Sequence, residues 1–363
     1  MTKPCAMSSR MILASAVASV GTALVPLARS SAQGCMPIRY TSPTLGTPNL
    51  EASRAQQWQI GVDYRWVHAN RFYVGRDYAP DLAPGGQPSR INVHTVDLSV
   101  SYTITRRLSA TIAIPFATGT HSRLQADGNR YQFSVTGLGD VSLSVRGWLL
   151  DPANPRGNAA IGLGIKAPTG QTDKLGTWHT ASGTEPRPID PSVQLGDGGW
   201  GAIVRGEGFR QVRSRTAVYA AGSYLINPRD HITTTFTTAF GVVAPVASTD
   251  EYSAHAGLTF DALPRRGVAL SIGARMDGVP VKDLAGGADQ SFRRPGYAVY
   301  VEPALAVRIS RSPFSTRGST ISLSIPVRVA QNRKASLLEV ANGRHGGGDF
   351  ANFLVFAGLV KRL

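Results

Sequence analysis

The sequence predicts a single up-and-down antiparallel transmembrane β-barrel of about twelve strands, and three observations lead to this fold class. Apolar and polar residues alternate with period two through most of the chain after residue 55. Along the chain, the connections between these segments alternate strictly between long and short. No apolar stripe with helical spacing persists in the same part of the chain.

The composition excludes several other classes of protein. Of the 363 residues, 42% are hydrophobic and 17% are charged, a charged share well below the roughly 25% of soluble domains. The mean hydropathy of −0.08 excludes a helical membrane bundle, and two cysteines are too few for a disulfide framework. The net charge of +15 comes from dispersed Lys and Arg without a basic helix, so nucleic acid is not an expected partner.

The N-terminal residues have the pattern of an export signal. Lys3 and Arg10 flank the start of an uncharged apolar stretch at 11–27, and small residues predict cleavage after Ala32. Two alternatives are a membrane-anchoring helix and a lipoprotein signal with Cys35 as the lipidated residue. We expect a signal peptide at 1–32, a periplasmic or plug-like segment at 33–55 and the barrel at 56–363.

The strands begin with a segment in which Trp58, Ile60 and Val62 alternate with polar residues. Later segments repeat this pattern, and several reach the ~9–11 residues that a tilted strand needs to cross a bilayer. The predicted strands lie at about 58–66, 96–104, 107–118, 135–150, 157–168, 200–212, 214–226, 252–263, 267–277, 297–310, 321–329 and 350–362.

The connections fall into two sets. Outer-membrane barrels have short periplasmic turns and long external loops, whereas a Greek-key sandwich has no reason to sort its connections. An even strand number then places both chain ends on the periplasmic side. Short turns are predicted at 105–107, 151–156, 213, 264–266 and 311–317, and long loops at 67–91, 118–134, 169–199, 227–251, 278–296 and 331–349. The short turns are rich in arginine and lie where head-group phosphates are expected: Arg106, Arg107, Arg213, Arg215, Arg265 and Arg266.

One face of each predicted strand is apolar, and the other carries Ser, Thr, Gly and single charges. In a membrane barrel the apolar face contacts lipid, whereas in a soluble barrel it points inward, and periodicity alone does not distinguish the two. The export signal and the sorted connections favour the membrane arrangement. Aromatic residues expected near the borders of the lipid-facing band are Trp58, Trp66, Trp148, Tyr102, Tyr224 and Tyr297.

The charged residues of the polar face are the candidates for a functional site, because opposed charges across a narrow lumen select solutes by charge and size. The alternative role is structural, since ion pairs across the lumen would fill and stiffen a small closed barrel. The candidates are Arg65, Asp97, Arg146, Lys166, Arg205, Glu207, Arg275, Glu302, Arg308 and Arg328.

Enzyme motifs are absent from the sequence, which has no G-x-S-x-G, H-E-x-x-H, P-loop or C-x-x-C pattern. Among the seven histidines, His255 lies in a predicted strand where it could meet a hydroxyl group, as in an outer-membrane esterase. Without a supporting motif we expect no catalytic residue, no cofactor and no bound metal.

Three glycine-containing motifs occur in order in the central third of the chain. They are Gly-Leu-Gly-Asp at 137–140, Lys-Ala-Pro-Thr-Gly at 166–170 and Gln-Leu-Gly-Asp-Gly-Gly-Trp-Gly at 194–201. In these motifs the chain resembles the meta-pathway of phenol degradation family of outer-membrane β-barrel transporter-like proteins. The chain departs from that family in its excess of basic over acidic residues and in the Pro-rich stretch at 185–188.

The resemblance implies an outer-membrane channel for passive uptake of small solutes, aromatic or hydrophobic ones among them, and supplies no binding residue. The alternative is a structural or surface-interaction barrel with a plugged lumen. The expected location is the outer membrane of a Gram-negative-type bacterium. The expected partners are a small-molecule solute, outer-membrane lipid and lipopolysaccharide, with a monomeric barrel.

Overall fold

A computed structural model describes residues 56–83, 86–152, 154, 156–180, 183–237, 243–287, 291–293, 295–309, 318–343 and 346–363. The predicted signal peptide, the segment at 33–55 and the turn at 311–317 lie outside these residues. No helix of the described part is long and apolar enough to cross a membrane.

Antiparallel β-strands make up nearly all of the structure, with one short helix, α1 (Leu337–Ala341). The strands are β1 (Gln57–Val74), β2 (Asp77–Tyr78), β3 (Arg90–Thr103), β4 (Leu108–Leu124), β5 (Arg130–Leu138), β6 (Ser142–Trp148), β7 (Gly157–Lys166), β8 (Leu175–Thr180), β9 (Gly183–Pro188), β10 (Gly201–Arg213), β11 (Thr216–Ile226), β12 (His231–Thr237), β13 (Val243–Ala247), β14 (Glu251–Leu263), β15 (Val268–Val279), β16 (Gly296–Ile309), β17 (Gly318–Ser324), β18 (Val327–Arg333) and β19 (Gly347–Arg362).

Twelve strands close into one barrel, which confirms the predicted fold class. Strands that follow each other in the chain pair side by side, and β19 pairs with β1 to complete the ring. β5 and β6 together form one barrel strand, and β17 and β18 form another. Three short pieces lie in connections instead, namely β2 and the hairpins β8–β9 and β12–β13.

Proline explains the two interrupted strands, which were predicted as continuous. Pro115 on β4 has no N–H to donate, and opposite it the chain carries one residue more, so 139–141 leave the ladder. Pro303 on β16 lies opposite Ile325, and Pro326 is the next residue, where β17 ends and β18 begins. The interruption after Leu138 leaves β5 paired with β4 alone.

The two ends of the barrel differ as the sorted connections predict. We call the end where the described barrel begins and ends, and where the short connections lie, the turn end, and the opposite end the loop end. The predicted long loop at 118–134 is instead mostly strand, because β4 and β5 continue as a hairpin whose connection is the short stretch 125–129. At the turn end the N–H of Leu363 donates to the carbonyl of Trp58 at 3.0 Å.

The apolar face of the strands points outward, which decides between the two arrangements that periodicity left open. Leu163 is 62% exposed and Val329 is 60% exposed, and similar side chains surround the barrel. Such a continuous apolar surface fits contact with lipid. Trp148 is a correction to the predicted aromatic borders, because it is buried opposite Ala160 on the inward face and its ring meets that of Phe209 edge-on.

Candidate functional site in the barrel lumen

The inward face of the barrel has two zones. On β1 the inward residues change from Arg65 to Val67 towards the loop end, and on β3 they change from Asp97 to Val93. We call the charged zone the charge belt; it consists of Asp63, Arg65, Asp97, Arg146, Arg205, Glu207, His255, Arg275, Asp277 and Glu302. We call the other zone the apolar chamber; it is lined by Val67, Ile91, Val93, Phe133, Val135, Tyr300, Leu354 and Phe356.

Two ion pairs join neighbouring and more distant strands in one part of the charge belt. Arg65 on β1 lies 3.7 Å from the carboxylate of Asp97 on β3. Arg146 on β6 donates to Glu207 on β10 at 2.9 Å, with β7 between the two strands. The sequence prediction of opposed charges in the lumen therefore corresponds here to paired side chains.

A second group in the belt is buried more deeply. Arg275 donates to Asp277 at 2.8 Å and lies 3.9 Å from Glu302, and its guanidinium lies over the ring of Phe356. Arg275 is 3% exposed and Glu302 is 2% exposed. Glu302 also accepts from Ser324 at 2.7 Å, so its negative charge is shared among several donors.

Arg205 differs from the other arginines of the belt. It makes no ion pair within 4.0 Å with any described residue, and its buried Nε has no hydrogen-bond partner there. Its electrostatic neighbours are Glu207, Arg146 and Asp97. The Arg205 side chain is partly exposed on the inward face of the barrel.

Two further candidates lie away from the belt. Arg308 is partly buried near the turn end, where it acts electrostatically on Asp261. Arg328 lies near the loop end and donates to the carbonyl of Ala351 at 2.7 Å and to the hydroxyl of Tyr73 at 2.9 Å. Both lie on the inward face, and Arg328 is bound into the barrel wall.

A segment from the connection between β9 and β10 fills the apolar chamber. Ile189, Val193 and Leu195 belong to the same buried apolar cluster as the inward residues of the chamber. A short helical turn at Pro191–Val193 lies against the inner faces of β3 and β4. We call 189–195 the inward segment. Between it and the wall remains a cavity of about 30 Å³, which has room for one water molecule.

Asp190 anchors the inward segment. Its carboxylate accepts from the N–H of Ser192 at 2.9 Å and caps the helical turn. Burial alone would raise the pKa of Asp190, but His121, Ser192 and Arg123 together bring that pKa below its ordinary value. Asp190 is therefore held as a carboxylate at neutral pH.

Lys166 is a sequence candidate that lies outside the charge belt, at the loop end of β7. Its side chain is fully buried between two carboxylates, 3.4 Å from Asp140 and in direct contact with Asp197. Asp140 also accepts from the N–H of Gly170 at 2.8 Å. One residue of each glycine-containing motif thus takes part in this cluster, which we call the motif cluster (Asp140, Lys166, Asp197).

The motif glycines allow two backbone segments to touch. A Cβ on Gly170 would lie 2.6 Å from the carbonyl oxygen of Leu195, closer than real Cβ atoms approach any heavy atom. A side chain at either Gly170 or Gly196 would separate the second motif from the third. These glycines therefore fix the position at which the inward segment leaves the barrel wall.

Hydrogen bonds extend the motif cluster to two more connections at the loop end. Asn227 donates to Asp197 at 3.1 Å and its backbone N–H donates to Asp250 at 2.7 Å. The N–H of Asp250 donates to Asp283 at 3.1 Å, and Arg293 binds Asp283 at 2.7 Å. Three of the connections at this end are thereby joined by buried polar contacts.

Among the described residues, no hydroxyl or thiol group forms with His255 the nucleophile–base hydrogen bond that nucleophilic catalysis needs. Its Nδ1 lies 3.3 Å from Glu302, and the nearby hydroxyl of Ser324 donates to the same carboxylate and not to the imidazole. Within the described residues, no three His, Cys, Asp or Glu side chains come together as they would around a metal ion.

The inward segment and the carboxylates of the motif cluster were not identified from the sequence. A signal for the apolar chamber was present, because Val67 and Val93 have the same strand parity as the charged residues Arg65 and Asp97. Nothing comparable pointed to the inward segment, since its residues lie in a connection without periodicity.

Comparison with known proteins supports the fold. No family model matches the chain, and no curated protein matches its sequence. An outer-membrane channel from Pseudomonas putida F1 has a similar structure, with a TM-score of 0.57 and 14% identity over 88% of this chain and 100% of that chain. This likeness shows a shared barrel fold.

Two other solved barrels are more distant. The translocator domain of the autotransporter NalP from Neisseria meningitidis has a TM-score of 0.43 and 11% identity over 86% of this chain and 91% of that chain. The monoaromatic hydrocarbon channel CymD has a TM-score of 0.42 and 11% identity over 92% of this chain and 93% of that chain.

Proposed function

We propose that this chain is an outer-membrane channel for the passive uptake of small hydrophobic solutes, aromatic ones among them. The observation that carries the proposal is the apolar chamber, because a water-filled pore for polar solutes has no use for a lumen lined by Val67, Val93, Phe133 and Leu354. The barrel with which it shares a fold is itself an outer-membrane channel.

The proposed path runs from the loop end, through the chamber, past the charge belt to the turn end. In this orientation the loop end faces outside and the turn end faces the periplasm, as expected for an exported barrel whose loops are longer outside. The external membrane partners would be lipopolysaccharide and lipid, and the barrel would act as a monomer.

The inward segment would control the first step of this path. Val193 and Leu195 occupy the space that a hydrophobic solute would need, so uptake requires that they move aside. Arg205 would then contribute charge selectivity in the belt, because no described carboxylate lies within 4.0 Å of it.

The test is transport by the purified chain in two assays. We expect that Val193→Ala together with Leu195→Ala raises the rate of uptake of a small aromatic solute into liposomes several-fold, and that Arg205→Glu shifts the reversal potential in planar bilayers towards cations. The matched control is Leu163→Ala, which removes an apolar side chain from the lipid-facing surface. Equal uptake by all variants and by empty liposomes would refute the channel.

A plugged structural barrel is the second candidate, and a specific observation favours it. Arg65, Arg146 and Arg275 are all ion-paired, which is the arrangement expected of charges that stiffen a closed lumen. A barrel that inserts into bilayers but neither conducts ions nor takes up solute, with and without the chamber substitutions, would establish this candidate.

A further inference from the structure

The turn end is strongly basic. Among the residues that the structure describes at this end, nine exposed side chains are cationic and Asp151 is the one exposed acidic side chain, while Asp261 is partly buried. The cations are Arg106, Arg107, Arg156, Arg210, Arg213, Arg215, Arg265, Arg266 and Lys361. They occupy the turns β3–β4, β6–β7, β10–β11 and β14–β15 and the last strand, so they surround the barrel.

These cations lack the ion pairs that several cations at the loop end form. At the loop end Lys166 contacts two carboxylates, Arg293 binds Asp283 and Arg187 binds Glu185. None of the nine turn-end cations forms an ion pair within 4.0 Å inside the described part of the chain. Uncompensated like charges repel one another, so this end is complementary to an external anion.

The cations also lie at a defined depth. The rings of Trp58 and Tyr102, 4.6 Å apart, mark the border of the outward apolar surface at the turn end. The turn containing Arg106 follows Tyr102 beyond this border, at the level of lipid head groups. On the other side of β1, Lys361 is paired with Ile60, two residues to the lipid side of Trp58, and its long side chain can extend to the head groups.

We propose that the turn end binds the phosphodiester head groups of anionic phospholipids and selects these lipids over zwitterionic ones. Eight of the nine cations are arginines, whose planar guanidinium groups match the geometry of phosphate oxygens. The ring arrangement fits a shell of lipids around the barrel better than a single soluble partner, which would cover one side. This inference depends on the membrane-spanning fold and not on the proposed channel.

Trp58 makes the test local, because it is 52% exposed on the lipid-facing surface between the two groups of cations. In a single-tryptophan chain, with Phe at 66, 148, 178 and 200, quenching of Trp58 by brominated phosphatidylglycerol is compared with quenching by brominated phosphatidylcholine. At low salt we expect Trp58 to be quenched more strongly by brominated phosphatidylglycerol than by brominated phosphatidylcholine. The preference should be roughly fivefold for each cation that contacts the lipid. The preference should disappear at high salt.

Two sets of substitutions separate charge position from total charge. Arg106→Gln, Arg107→Gln and Lys361→Gln together should abolish the preference reported by Trp58. Arg71→Gln and Arg76→Gln remove exposed cations near the loop end and should leave it unchanged. A chain that retains Trp66 as its one tryptophan should report no preference, because Trp66 lies on the opposite side of the apolar band.

A second measurement does not need the tryptophan substitutions. Native mass spectrometry of the unmodified chain should retain bound phosphatidylglycerol, and the variant lacking Arg106, Arg107 and Lys361 should retain less. Equal retention of both lipid classes, or a preference that survives the three substitutions, would overturn the proposal. Salt-sensitive binding of poly-aspartate to the detergent-solubilised barrel, without a lipid preference, would also overturn it in favour of an acidic soluble partner.

Discussion

Arg146 and Glu207 form an ion pair of 2.9 Å across a strand that separates them. The strand between them presents Ala160 and Gly162 to the lumen, so nothing obstructs the arginine as it crosses. The pair is partly exposed, with 33% of the Arg146 side chain and 21% of the Glu207 side chain accessible. Its two charges cancel in a part of the lumen that ions could reach.

Removing one partner of this pair should change ion selectivity in a predictable direction. Glu207→Gln removes a negative charge beside Arg146 and Arg205, so the reversal potential should shift towards anions; Arg146→Gln removes a positive charge and should shift it towards cations. The double variant should return close to the wild type, because the net charge is restored. Shifts of the same sign in both single variants, measured in planar bilayers under a salt gradient, would contradict the placement of this pair in the conducting path.

The motif cluster should contribute strongly to stability. Lys166→Met removes the buried cation that contacts Asp140 and Asp197, and removing one partner of a buried pair costs about 3–5 kcal/mol. Urea unfolding in detergent, followed by tryptophan fluorescence, measures this loss. Lys174→Met is the matched control, because Lys174 is exposed. Equal unfolding midpoints for the two variants would show that the cluster does not stabilise the barrel.

Gly170→Ala should displace the inward segment, because its Cβ would lie 2.6 Å from the carbonyl oxygen of Leu195. We expect a lower unfolding midpoint and faster uptake of an aromatic solute. Gly206→Ala is the control, since a Cβ there meets no heavy atom within 4 Å. If the two alanine variants behave alike in both assays, then the contact between the second and third motifs is not what holds the segment in place.

Asp190 predicts a pH dependence whose sign follows from its lowered pKa. A carboxyl group whose pKa is lower in the folded chain stabilises the fold above its unfolded pKa, and that contribution is lost as the pH falls through the folded value. Asp190→Asn should therefore be less stable than the wild type by a similar amount near pH 7 and near pH 5. The difference should vanish only below pH 3.8, the ordinary pKa of an aspartate. A difference that is lost between pH 7 and pH 5 would contradict this account.

The strands and the direction of their faces could be predicted because period-two alternation is local and most of it survives in the barrel. Trp148 shows where that reasoning fails, since an aromatic residue near a strand end also fits the inward face when a small residue such as Ala160 lies opposite it. Lys166 shows a second failure. Its position in the strand alternation correctly places it on the inward face. The carboxylates that contact it, Asp140 and Asp197, are 26 and 31 residues away in the sequence, and only the fold brings them together.

The inward segment could not be predicted for a related reason. Val193 and Leu195 lie in a connection, where neither the strand period of two nor the helical period of 3.6 identifies a buried side. Their burial depends on Gly170, which allows the backbones at Gly170 and Leu195 to come into contact. The sequence left open whether each lumen charge is paired or serves selectivity. In the structure Arg275 is paired and Arg205 forms no ion pair with a described residue, and a role in selectivity stays a prediction.

Closure of the ring by β1 and β19 has a consequence for how the chain reaches its fold. The two strands lie at opposite ends of the described chain, and the entropy lost in bringing such distant segments together slows assembly. Until β19 arrives, β1 and the strand formed by β17 and β18 each present a row of unpaired N–H and carbonyl groups, and such edges promote aggregation. The last sixteen or so residues therefore act as the closing seam, and a chain shortened within them should accumulate as an aggregating intermediate with most of its strands already formed.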